Sequence, residues 1–116
     1  MSPGRLLIIG SFAFACSGNA AIANAADDAA AEALLKKSNC FKCHAIDKKK
    51  DGPPFRETAK KYREKHPDKA DAEQKLYTHL TTNPKIKIDD KEELHEPLKT
   101  KNEADIRSVV RWILAR

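Results

Sequence analysis

Five consecutive residues, Cys40-Phe41-Lys42-Cys43-His44, carry the most specific chemistry in this 116-residue chain. Two thiols three positions apart can form thioethers with the two vinyl groups on one edge of a haem. The imidazole that follows can then ligate the iron. The same thiols have three other readings: a redox dithiol, a zinc site and a disulfide. A dithiol of the thioredoxin kind follows a strand in a βαβ unit, whereas the alanine-rich segment before Cys40 reads as helix. Zinc needs four ligands, and the adjacent Cys43 and His44 fit awkwardly into one tetrahedron. A covalently bound haem c is therefore the expected cofactor, with Cys40 and Cys43 as attachment points and His44 as an iron ligand. The single methionine is Met1, so the common thioether ligand is missing for the opposite face of the iron.

The elements that must position these groups read as helices. Asp27 and Asp28 open the first and Lys36 and Lys37 close it, as a helix dipole favours. Ala30, Ala33 and Leu34 form its narrow apolar stripe, and a helix ending at Ser38-Asn39 delivers the cysteines from a tight turn. Asp51-Gly52-Pro53-Pro54 is a strong turn signal. Phe55, Ala59 and Tyr62 then recur at helical spacing, which predicts a second helix from about Pro54 to Lys65. Pro67 stops it, and Asp68 caps a third helix with Ala72, Leu76, His79 and Leu80 along one face. Residues 85–97 read as a loop, in which Ile86 and Ile88 alternate too briefly to require a sheet. Thr100-Lys101-Asn102-Glu103 is a capping-box pattern for the last helix, followed by Ile106, Val109, Val110, Ile113 and Leu114 at core spacing. Trp112 falls at the edge of that stripe and reads as a partly buried packing group.

The N-terminus supplies the compartment. Arg5, the apolar run from Leu6 to Ala15 and Ala23-Asn24-Ala25 match the three parts of a secretory signal, and the run is too short to span a bilayer. The expected division is a signal peptide at residues 1–25 and one domain at residues 26–116. Ala13-Phe14-Ala15-Cys16 only loosely matches a lipoprotein site, because leucine is usual where Ala13 stands, so lipidation at Cys16 is not expected. So short a domain buries a modest fraction of its surface and commonly needs a staple. With 34% charged and 6% aromatic residues, the haem would be that staple, and the chain without it is expected to be largely unfolded. The formal net charge of +5 falls by one unit with Arg5. This mild excess does not suggest nucleic acid and suits an acidic docking partner. Lys48, Lys49, Lys50, Lys60, Lys61 and Lys65 read first as solvated faces.

Taken together, Cys40-Phe41-Lys42-Cys43-His44, Gly52-Pro53 and Trp112-Ile113-Leu114 resemble a small bacterial class I cytochrome c over essentially all of residues 26–116. The resemblance implies an all-α fold of three to four helices around one haem, the first and last helices crossing and one haem edge exposed. It implies a monomeric periplasmic electron carrier, not an enzyme, which meets redox protein partners and keeps no transmembrane anchor after signal cleavage. It also implies that the Pro53 carbonyl accepts a hydrogen bond from the proximal imidazole and fixes that ring. The family usually places its methionine ligand in the loop before the last helix, where this chain has Leu94-His95-Glu96-Pro97. His95 is thus expected to ligate the iron opposite His44, with His79 as its rival and His66 facing solvent. Imidazole in place of thioether implies a lower potential than in His/Met relatives. The alternative function is a haem protein that binds or senses nitric oxide or carbon monoxide when a loop-borne His95 detaches.

Overall fold

The computed structural model describes residues 25–116. The expected signal peptide lies outside the described residues except for Ala25, and so does Cys16. Helix α1 runs Ala25–Lys37, with Asp27 and Asp28 in its first turn and Lys36 and Lys37 in its last. Its buried face carries Ala31 and Leu35, one turn apart, while Ala30 and Ala33 are exposed. The expected stripe is thus corrected by one residue. An alanine-rich helix has few large side chains to fix its orientation, and Leu35 decides it because one fully buried leucine contributes about 1.5–3 kcal/mol. Asn39 ends the segment at φ 60, a left-handed conformation that asparagine tolerates better than most residues.

One helical turn, α2 (Cys40–Cys43), follows directly, and α3 covers Phe55–Lys65. Helix α4 covers Lys69–Thr81, capped by Asp68, whose side chain accepts from the Asp71 amide. Ala72, Leu76 and Leu80 of α4 are buried, as its periodicity requires. Helix α5 covers Glu103–Leu114. Its cap is Asn102, whose Oδ1 accepts from Asp105 N at 3.2 Å, in place of the expected Thr100. The Thr100 hydroxyl is used one step earlier, accepting from Asn102 N at 3.2 Å. Helix α5 packs against α1, α3 and α4 and is the spine of the fold. Ile106, Val109, Val110 and Ile113 build the core from it, and Trp112 is only 2% exposed, more deeply buried than its place at the stripe's edge implied. Its ring meets Phe55 edge-on at 5.5 Å, and the Arg116 guanidinium lies 4.3 Å over it.

The segment expected to be loop holds a two-stranded antiparallel hairpin, β1 (Lys85–Ile88) and β2 (Lys91–Leu94). The turn residues Asp89 and Asp90 have φ 47 and 65. Two consecutive positive φ values describe the turn whose twist matches a tight hairpin, and aspartate reaches them at lower cost than most residues. The fold remains helical around this insertion.

Candidate functional site

The proximal half of the site is built locally. Cys40 and Cys43 stand on one face of the single turn α2, since residues three apart on a helix are neighbours. The His44 amide closes that turn on the Cys40 carbonyl at 2.9 Å. The chain then loops back: Lys50 Nζ donates to the Phe41 carbonyl at 2.6 Å, and Gly52 N donates to the Cys43 carbonyl at 2.7 Å. This brings the Pro53 carbonyl to 2.7 Å from His44 Nδ1. A carbonyl only accepts, so Nδ1 carries the proton and Nε2 keeps its lone pair for a metal. Phe55 stacks on the same ring, with centroids 5.3 Å apart and planes at 26°.

Gly52 is required by close approach. A Cβ there would lie 2.8 Å from His44 Nδ1 and 3.0 Å from Nε2, with Cε1 nearer still. The hydrogen atom of glycine leaves the ring a cradle that any other residue would fill. Gly52, Phe55 and Lys50 are the site residues that spacing alone did not single out. A glycine next to the proline of the turn was the available signal for the first.

Both thiols are half-buried and free. Burial pushes the Cys40 thiol up to about 11, the nearby Cys43 and Glu96 charges push the same way, and only its own backbone hydrogen bond opposes them. Such a group holds its proton at neutral pH, the reverse of the acidic thiol that a redox dithiol needs. Among the described residues no three His, Cys, Asp or Glu side chains are arranged to hold one metal ion directly, short of the four donors a zinc site needs.

The distal half comes from two distant segments. His95 follows β2, and its amide donates to the Pro84 carbonyl at 2.8 Å while its carbonyl accepts from Asn83 Nδ2 at 3.4 Å. Beyond it, Leu98 N donates to the Leu80 carbonyl and Lys99 N to the hydroxyl of the buried Ser38, both at 2.9 Å. The loop is therefore tied to α4 and to the turn before the cysteines. The His95 ring stands 6.1 Å from that of His44 and 4.6 Å from that of His79 on α4. Burial first, then the charges of His79 and His44, lower His95 to about 4, against an opposing pull from Glu96. His79 is lowered too, by burial and by His44. Both rings are thus neutral donors at physiological pH. His95 Nδ1 is buried without a protein partner. His66 is elsewhere, with its Nδ1 2.7 Å from Asp71 Oδ2.

With a metal–imidazole bond of about 2 Å and a ring half-width of about 1 Å, two imidazoles across one ion have centroids about 6 Å apart. The His44 and His95 rings meet that spacing. Two thiols on one edge, a proton-fixed imidazole in a glycine cradle and a second neutral imidazole at ion spacing fit a haem c.

A family model described as cytochrome c matches residues 29–116. The chain is 45% identical to the class 1 cytochrome MtoD from Sideroxydans lithotrophicus ES-1, over 75% of this chain and 92% of that one, with a TM-score of 0.67. It is 29% identical to cytochrome c552 of Nitrosomonas europaea, over 72% of this chain and 95% of that one, with a TM-score of 0.53. No curated protein matches it.

Proposed function

The chain belongs to the cytochrome c family, and on that premise we propose that it is an exported periplasmic electron carrier with histidine on both faces of its iron. It is a haem-based electron-transfer protein holding a covalent haem c. The haem supplies a one-electron ferric/ferrous couple when bound. Cys40 and Cys43 tether it, Pro53 holds the proton on His44 Nδ1, and Gly52 lets that ring seat. His95 is the sixth ligand in this reading, supported by the single observation that its ring lies 6.1 Å from that of His44.

Replacing thioether by imidazole lowers the potential relative to His/Met relatives, because the nitrogen donor favours ferric iron. The ties of Leu98 to Leu80 and of Lys99 to the buried Ser38, just after His95, support a sixth position that is filled at rest, hence a carrier that meets redox proteins and no catalyst or sensor. Export rests on the signal pattern of Arg5, Leu6 to Ala15 and Ala23-Asn24-Ala25. No helix among the described residues is long and apolar enough to cross a membrane.

The deciding experiment compares electron paramagnetic resonance and visible spectra of His95→Ala and His79→Ala. His95→Ala should lose the low-spin bis-imidazole signal and His79→Ala should keep it. A low-spin signal unchanged in His95→Ala, or a sulfur-ligand band in the unaltered protein, overturns the reading.

A further inference from the structure

We propose that the hairpin β1–β2 is the positioning element of His95 and that its Asp89-Asp90 turn sets how readily this imidazole leaves the iron. The proposal rests on His95 being the sixth ligand. The register pairs Lys85 with Leu94, so Pro84 and His95 form the next rung of the same ladder. The 2.8 Å bond from His95 N to the Pro84 carbonyl is that rung. His95 is therefore the last residue the hairpin holds, and its backbone direction follows from strand pairing.

The two ends of the ligand segment differ in support. On the C-terminal side the chain is fixed by Leu98 to Leu80 and by Lys99 to Ser38, a residue only 3% exposed. On the N-terminal side the backbone of the hairpin lies against none of the helices, and its only half-buried strand residues are Ile86 and Ile88 of β1. Every residue of β2 is exposed, including Leu94 at 61%. An isolated two-stranded hairpin is marginal in water. Its closure depends on the turn, where two aspartates sit at φ 47 and 65 without the glycine that this turn prefers. The weakest closure in the segment is thus coupled by one ladder of bonds to the candidate ligand. When the hairpin frays the Pro84 rung opens, and the ring can swing away on the tether that begins at Leu98.

The exchange that would report this is ligand substitution on the reduced holoprotein, in which carbon monoxide would take the position that His95 vacates with no electron transferred. On this proposal departure of the ring limits its rate. Asp90→Gly relieves the left-handed strain and should slow carbon monoxide binding several-fold. Asp89→Ala combined with Asp90→Ala removes the side chains that tolerate this conformation and should speed it about tenfold. Because the hairpin is not part of the core, both variants should keep the helical thermal transition and the low-spin spectrum of the unaltered protein. Opposite shifts in the two variants support the proposal, and a rate within twofold of the unaltered protein in both overturns it. His95→Ala separates the two failures. If it stays low-spin, the ligand assignment is wrong; if it turns high-spin while the turn variants do not change the rate, only the hairpin's role is wrong.

Discussion

Substituting Gly52 by alanine tests the proximal half of the site, because the geometry gives both the sign and the size of the effect. The new Cβ would stand 2.8 Å from His44 Nδ1 and 3.0 Å from Nε2, with Cε1 nearer still, against an optimal separation of about 3.5 Å, so the ring must retreat by more than about 0.7 Å. It cannot retreat freely, since Phe55 stacks on it at 5.3 Å and Nδ1 is bonded to Pro53 at 2.7 Å. Overpacking of this kind costs about 1–3 kcal/mol. The ring's most exposed constraint is the hydrogen bond, worth about 0.5–1.5 kcal/mol net. Losing that bond leaves the imidazole a weaker base, which disfavours ferric iron more than ferrous. For a one-electron couple this range converts to a rise in potential of roughly 20–60 mV. Potentiometric titration of Gly52→Ala beside the unaltered protein, with a thermal melt of each, measures both effects. A potential shifted by less than about 10 mV together with an unchanged melt would refute the cradle.

Two further outcomes follow from the same structure. Cys40→Ala with Cys43→Ala should give colourless protein that lacks most of the helical circular dichroism, since a domain this short and this charged depends on its cofactor; native-like helix in that variant would show that the core around α5 suffices alone. Ser38→Ala should cost about 1–3 kcal/mol, because the Lys99 amide loses its hydroxyl acceptor beside a position only 3% exposed. A melting temperature equal to that of the unaltered protein would show that water replaces the hydroxyl.

The proximal half was legible in the sequence because its parts lie close together along the chain. Cys40, Cys43 and His44 are contiguous, and the Pro53 carbonyl reaches His44 across nine residues through one turn. The helices α3 and α4 were equally legible, since Pro54, Pro67 and Asp68 punctuate them and Phe55, Ala59, Ala72 and Leu76 fix their faces. The face of α1 was not, because alanines at Ala30, Ala31 and Ala33 differ too little to choose among orientations. The hairpin was missed because its turn uses Asp89-Asp90 in place of a glycine-bearing pair, and its strands are only four residues each. The start of α5 slipped because Thr100 and Asn102 both can cap, and only the geometry of Asp105 N separates them.

The two histidines differ in how they are held, and this bears on electron exchange. His44 is fixed by groups within eleven residues of it, namely Gly52, Pro53 and Phe55, and Phe55 leans on the buried Trp112 at 5.5 Å, so the proximal ring is continuous with the core. His95 depends on two separated segments, residues 80–84, which bond His95 through Asn83 and Pro84 and Leu98 through Leu80, and Ser38, which bonds Lys99, and on a hairpin whose backbone meets no helix. Interiors packed as densely as this core resist displacement, whereas an exposed ladder opens at far lower free energy. On the proposed ligation by His44 and His95, movement on a change of iron charge should therefore concentrate on the distal side. A ligating ring that stays put keeps the structural adjustment per electron small, so the proximal design favours rapid exchange, and on the proposed ligation the hairpin is where this chain would tune it.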